Sequence, residues 1–268
     1  MKRLIAFVLA IIICALPLIA CGKEEDPNTI KVAASSTPHA EILEICKTLL
    51  AEKGYTLEIK VLDDYIIPNT STDSGDVDAN FFQHQPYLDD FNATRGTKLV
   101  TVAKVHFEPY GIYAGKCSDL ANLPEGAVIA VPNDATNEAR ALLLLEANGI
   151  IELKEGVGLT ATKNDIVKNP KNVEIREMEA ALITGVLADV DCAVINGNYA
   201  IAANLRVSDA LAAEDSRSAA FNTYANILVV KEGNENDPKI QALVEAILSD
   251  EVRDFINKTY DKAVVPVF

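Results

Sequence analysis

Residues 30–61 read IKVAASSTPHAEILEICKTLLAEKGYTLEIKV, and the apolar period changes twice along them. Residues 30–34 are a short apolar run. Ile42, Ile45, Cys46, Leu49 and Leu50 then recur at helical spacing until Gly54. Tyr55, Leu57, Ile59 and Val61 alternate with Thr56, Glu58 and Lys60. The first piece predicts a strand, the second a helix opened by Thr37-Pro38, the third a strand with one buried face. Strand, helix, strand in that order opens an α/β fold.

Upstream, Lys2 and Arg3 precede an apolar run over residues 4–19, the pattern of a secretory signal. The run is short for a membrane span. It ends in Leu18-Ile19-Ala20-Cys21-Gly22, which resembles a bacterial lipobox: small residues before a cysteine that is diacylated at sulfur and becomes the mature N-terminus. Residues 1–20 are therefore expected to be a signal peptide and 21–29 a polar tether. The chain is acidic, with 39 Asp and Glu against 24 Lys and Arg and a formal net charge of −15. That charge argues against nucleic-acid partners and against electrostatic adhesion to anionic lipid. Cys46, Cys117 and Cys192 show no metal or disulfide spacing, and Cys46 and Cys192 read as core residues.

Downstream, residues 62–77 read as a polar, turn-rich segment. Asp78-Ala-Asn-Phe-Phe-Gln-His-Gln-Pro-Tyr-Leu-Asp-Asp-Phe91 concentrates Phe82, His84 and Tyr87 in a chain with three histidines and no tryptophan. It is read as the wall of a ligand site, with Pro86 suited to a helix start. A strand is expected over 99–106. The α/β rhythm resumes with a buried strand at 127–131, cap chemistry at Pro132-Asn133-Asp134 and a helix over 138–148. A strand at 192–195 ends at Asn196, and one at 227–230 follows Asn226. The composition and rhythm predict two lobes: 30–113 plus 216–268, and 114–215. Loops at the carboxyl ends of parallel strands are where such folds hold ligands.

Arg140, near a helix N-terminus, can present a fork of donors to a carboxylate or pair with Glu138 or Glu146 on the surface. Asn196 and Asn226 at strand ends can donate to a carboxylate and accept from an ammonium, or stabilise turns. His84 lacks partners at metal or triad spacing, which leaves it a hydrogen-bonding or packing role in a pocket. No phosphate loop, nucleophile elbow or zincin motif is present, so no enzyme is expected.

Tyr65-x-x-Pro68-Asn69, Asp78-Ala-Asn80-x-Phe82-Gln83-His84-x-Pro86-Tyr87-Leu88, Pro132-Asn133-Asp134-x-x-Asn137-x-x-Arg140, Asn196-x-x-Tyr199 and Tyr224-x-Asn226 occur in this order, and the set resembles the NlpA/MetQ family. Those proteins are methionine-binding lipoproteins of ABC importers. The resemblance implies an α/β, two-lobed type II periplasmic-binding-protein fold with two crossing segments. It implies a lipid anchor at Cys21 on the extracytoplasmic face of a membrane, no cofactor, and an ABC permease with its ATPase as partners. It implies L-methionine as ligand, with a methionine-containing dipeptide or another apolar amino acid as the alternative. On matching positions Arg140 would hold the carboxylate and Asn196 and Asn226 the amino-acid backbone groups. Tyr65, Phe82, His84 and Tyr87 would surround the side chain, and Asn137 would complete the set. Tyr110 and Ala114 depart from the family pattern.

Overall fold

A computed structural model of the chain describes residues 26–215 and 220–268. The expected signal peptide and Cys21 lie outside these residues. Strand β1 (Thr29–Ala34) leads through an irregular turn to α1 (Glu41–Glu52), β2 (Thr56–Val61), α2 (Ile67–Ser74), β3 (Ala79–His84), α3 (Gln85–Arg95) and β4 (Leu99–Phe107). The chain then forms β5 (Gly111–Ala114), β6 (Val128–Pro132), α4 (Ala135–Ala147), β7 (Glu152–Leu153), β8 (Ile166–Lys168), β9 (Glu174–Met178), β10 (Cys192–Ile195), α5 (Gly197–Ala202) and β11 (Ala212–Ala213). It closes with α6 (Ala220–Thr223), β12 (Asn226–Lys231), α7 (Pro238–Ile247), α8 (Asp250–Thr259) and β13 (Val265–Pro266).

These strands form one main sheet in each lobe. The first has the order β13-β4-β12-β3-β1-β2, the second β11-β5-β10-β6-β9. β1 is parallel to both neighbours, whereas β12 runs antiparallel between β3 and β4. The first sheet is thus built from both ends of the chain; residues 108–110 cross between the sheets, and Glu214 and Asp215 on one side and 220–225 on the other belong to the second crossing. The expected lobe boundary after residue 113 falls inside β5, which belongs to the second sheet, so the first crossing lies a few residues earlier.

Each sheet has its own core. Ile30, Val32, Phe81, Val105 and Leu228 meet Leu43 and Cys46 of α1, Ile240 and Leu243 of α7 and Ile256 of α8. In the second lobe Ile129, Val131, Val194 and Cys192 pack on Ala141, Leu142 and Leu145 of α4. Burying each large apolar side chain of this kind contributes roughly 1.5–3 kcal/mol. Burial pushes the thiols of Cys46 and Cys192 up to about 12, which keeps both protonated and inert, as their reading as core predicts. No helix among the described residues is long and apolar enough to cross a membrane.

Three local readings change. Helix α1 starts at Glu41 rather than at Thr37-Pro38, because Thr37 is extended (φ −140°, ψ 143°), as suits a residue before proline. The polar segment 62–77 contains helix α2, whose Gly75 ends it in a left-handed conformation (φ 85°). The aromatic cluster begins as strand β3, with all six positions buried in the middle of the sheet, and so shows no alternation.

Candidate functional site

The site begins where β3 gives way to α3. His84 caps α3: its Nδ1 accepts the Tyr87 backbone N–H at 3.2 Å, and Pro86 occupies the first turn, where no N–H is needed. The imidazole Nε2 lies 3.1 Å from Asn137 Oδ1 on α4. An amide oxygen can only accept, so His84 carries its proton on Nε2 and bridges the lobes as a neutral ring. Burial, then the charge of Arg140, holds its pKa down at about 3.

Asn137 is fixed from behind by Asp134, whose carboxylate accepts from its backbone N–H (3.0 Å) and from Nδ2 (2.9 and 3.0 Å). Its Oδ1 therefore faces the opposite way and receives three donors: His84 Nε2, Tyr110 OH (2.9 Å) and Asn196 Nδ2 (3.1 Å). Asn196 Oδ1 is buried with no hydrogen-bond partner among the described residues. Tyr110, a departure from the family pattern, here orients Asn137 and stacks on Arg140.

Arg140 is 4 % exposed and does not pair with Glu138 or Glu146. Its Nε and Nη2 donate to the two oxygens of Glu214 at 2.9 and 2.6 Å, and Nη2 donates also to the Glu108 carbonyl at 2.9 Å. The rings of Tyr110 and Tyr224 lie 4.2 Å from the guanidinium carbon. The guanidinium is thus held in one plane by a carboxylate and two aromatic faces, an arrangement suited to planar recognition of a second carboxylate.

Tyr65, Phe82 and Tyr87 form an aromatic box, with centroids 5.8 Å apart for Tyr65–Phe82 and Tyr65–Tyr87 and 6.1 Å for Phe82–Tyr87. Tyr65 OH donates to Asn198 Oδ1 across the cleft at 2.7 Å, and Tyr87 OH donates to the Tyr65 carbonyl at 2.8 Å. Among the described residues, the side-chain hydrogen bonds Tyr65–Asn198 and His84–Asn137 thus tie the two lobes together.

Asn226 comes from the start of β12. Its Oδ1 accepts from His39 Nε2 at 3.0 Å, and the Ser35 hydroxyl donates to His39 Nδ1 at 2.6 Å. His106 Nε2 donates to Glu108 Oε1 at 2.7 Å. The ligand atoms of His39, His106 and Glu108 lie within 4.8 Å of one another, close enough for a cation. Hydrogen bonds to one another, to Asn226 and to Ser35 already engage these groups. Burial holds His39 at about 4 and His106 at about 3 and pushes Glu108 above the usual carboxylate range.

A narrow cavity between the lobes, with about 20 Å³ of free volume, is lined by Tyr65, Phe82, His84, Tyr87, Asn137, Arg140, Asn196 and Asn226, together with Gln83, Glu108, Tyr110, Gly197 and Asn198. All eight ligand positions expected from sequence thus line one space. Sequence reasoning missed Glu108, Tyr110, Asn198 and Glu214. Glu108 and Tyr110 lie in one crossing segment and Glu214 at the start of the other, and acids in so acidic a chain carry no local signal.

The cleft, with its buried guanidinium, amides and aromatic box between two α/β lobes, is the architecture of a two-lobed substrate-binding protein. The model of the NlpA lipoprotein family matches residues 30–268, and the chain belongs to that family. It is 41% identical over 276 residues to the methionine-binding lipoprotein MetQ of Bacillus subtilis, covering 100% of this chain and 99% of that one. A lipoprotein structure from Ruminococcus gnavus aligns with a TM-score of 0.89 and 57% identity, covering 90% of this chain and 100% of the other. A nutrient-binding protein from Burkholderia cenocepacia, solved bound to methionine, aligns with a TM-score of 0.85 and 43% identity over 89% of this chain and 100% of its own.

Proposed function

We propose that this protein captures L-methionine and delivers it to an ABC permease driven by its ATPase, while a lipid on Cys21 holds it at the extracytoplasmic face of the membrane. The observation that carries the reading is one cavity between the lobes that joins a fixed guanidinium, an unpartnered amide oxygen and an aromatic box. Arg140 receives the α-carboxylate, and Asn196 and Asn226 meet the backbone polar groups, because a zwitterion stripped of water needs charge-assisted hydrogen bonds. Tyr65, Phe82, Tyr87 and the neutral ring of His84 surround the thioether, where sulfur–aromatic contacts contribute roughly 0.3–1.5 kcal/mol each. The methionine-bound relative and the MetQ relatives support this ligand. Binding, not catalysis, is the work of such a site.

Titration calorimetry of the purified protein is expected to show one-to-one methionine binding. Absence of heat with methionine, while another apolar amino acid or a methionine dipeptide binds, sends the reading to that ligand. Mass spectrometry of what the purified protein retains makes the same distinction. Delivery is tested by methionine uptake in cells whose copy carries Cys21→Ala, where uptake is expected to fall.

A further inference from the structure

The charges around the cavity do not cancel. Arg140, the buried cation of the site, already has Glu214 as a bidentate partner. Glu108 is a second carboxylate, 5 % exposed and lining the cavity, with no lysine or arginine in ion-pair contact among the described residues. Its near neighbours are His106 at 2.7 Å and His39 at 3.5 Å, both neutral in this dry floor, and the Asn198 backbone N–H; the Arg140 charge, already paired with Glu214, reaches it only from beyond ion-pair contact. A buried carboxylate without a cation is costly and persists where a ligand supplies the missing charge.

A second, independent observation marks the same corner. Glu108 lies against Gly197, where an added Cβ would stand 2.5 Å from its Cβ and 2.7 Å from Oε2. The residue before Gly197 is Asn196, whose buried Oδ1 also lines the cavity and has no donor among the described residues. A carboxylate with no cation in ion-pair contact and an amide oxygen with no donor among the described residues therefore belong to the lining of one cavity, on either side of the Gly197 approach. A group carrying several N–H donors and a positive charge satisfies both at once.

We infer that Glu108 is the counter-ion of the ligand's α-ammonium, with Asn196 Oδ1 as its companion acceptor, and that the cavity therefore selects a free α-amino acid over N-acylated or N-terminally extended ligands. This rests on the proposed amino-acid site and sharpens it, because in a peptide that carries methionine second the nitrogen at this corner is an uncharged amide. His39 and His106 act through Glu108 and Asn226 as positioning residues. Gly197 lets the acid approach the wall.

Calorimetry on the full-length protein in detergent, with L-methionine, 4-(methylthio)butanoate and N-acetyl-L-methionine as probes, tests it. Both probes lacking the ammonium are expected to bind at least about 10- to 100-fold more weakly than methionine, the worth of a hydrogen bond to a charged group. Glu108→Gln is expected to weaken methionine by a similar factor and to leave 4-(methylthio)butanoate unchanged or tighter, so the gap between the two closes. The inference is overturned if 4-(methylthio)butanoate binds the unaltered protein within about threefold of methionine, well inside that charged-bond factor. It is overturned equally if Glu108→Gln weakens both probes alike. If the variant does not fold, the first comparison decides alone. Should methionine fail but another free amino acid bind with the same dependence on Glu108, the methionine reading falls and this inference stands. Methionine binding that ignores Glu108 gives the reverse.

Discussion

Asn69, Thr72, Asn80 and Gln83 on one hand, and Asn137, Asn196 and Asn226 on the other, are two sets of buried polar side chains of nearly the same chemistry. In the first set Asn69 Nδ2 donates to Gln83 Oε1 (2.9 Å), and Gln83 Nε2 donates to Asn69 Oδ1 (2.6 Å) and Asn80 Oδ1 (2.8 Å). Asn80 Nδ2 donates to Asn69 Oδ1 (3.0 Å) and Thr72 Oγ1 (2.7 Å), and Thr72 donates to the Pro68 carbonyl (2.8 Å). This cage ties α2 to β3 within one lobe, and no side-chain atom of it is left unpartnered. The second set spans the cleft, crowds three donors onto Asn137 Oδ1 and leaves Asn196 Oδ1 bare. A closed amide network makes structure; an open one of similar burial waits for a ligand.

The two sets also differ in charge, and the largest expected effect follows from that. The cage contains no titrating group, whereas His39, His84 and His106 stand around the cleft with pKa values held at about 4, 3 and 3 by burial. Their unfolded pKa is about 6.5, so as pH falls below that value the unfolded chain takes up protons that the folded one refuses. Stability is full above pH 6.5 and is lost towards the folded values, by up to roughly 2 kcal/mol per histidine between pH 6.5 and 5. Glu108 and Asp134, both raised by burial, oppose this in part, since the folded state holds their protons more tightly. The melting temperature is expected to drop between pH 7 and 5, and less steeply in His84→Gln. A flat profile would show that the histidines are not buried neutral.

Arg140→Ala comes next. It strips Glu214 of its partner in a nearly dry site, an unpaired charge that costs about 3–5 kcal/mol of stability. Methionine affinity is expected to fall at least about 100-fold, the guanidinium being the proposed seat of the ligand carboxylate. Calorimetry and a thermal melt on one sample separate the two losses, and an unchanged affinity would remove Arg140 from the site.

The direct contrast is Asn80→Ala against Asn196→Ala. The first leaves Asn69, Thr72 and Gln83 short of partners and is expected to cost about 1–3 kcal/mol of stability with methionine affinity intact. The second removes a side chain with one hydrogen bond and one bare oxygen, so stability should move by under about 0.5 kcal/mol while affinity falls roughly tenfold. If both variants lost stability and affinity alike, the distinction between cage and cleft would fail.

Much of this was legible in the sequence where one property varied along the chain. The apolar period of 42–50 and the alternation of 55–61 gave α1 and β2, because each element buries one face only. β3 was not legible as a strand: its six positions are all buried, and Asn80 and Gln83 among them look like surface until the cage accounts for them. α2 was hidden in the same way, since its Asn69 and Thr72 spend their polar groups on β3 rather than on turns. The eight residues proposed to meet the ligand, which line one cavity, were singled out through residue types and a family resemblance. Glu108 and Glu214 were not, because only the two crossings bring residues 108 and 214 to the same guanidinium.

The smallest expected effect concerns closure rather than contact. Tyr65→Phe keeps the ring of the aromatic box and removes the hydroxyl that donates to Asn198 Oδ1 in the other lobe. If the lobes part, that hydroxyl exchanges Asn198 for water, so its bond counts only while the lobes meet, for about 0.5–1.5 kcal/mol. The closed state loses that much relative to the open one, and a ligand that binds by closing the lobes pays it through faster release. The expected result is a two- to tenfold weaker methionine affinity by the same measure, carried by the off-rate in stopped-flow, with the thermal melt of the ligand-free protein nearly unmoved. The cage offers no such variant, because both ends of each of its bonds lie in one lobe. A Tyr65→Phe protein whose melt falls while its off-rate stays put would place the Tyr65–Asn198 bond with the cage rather than with the cleft.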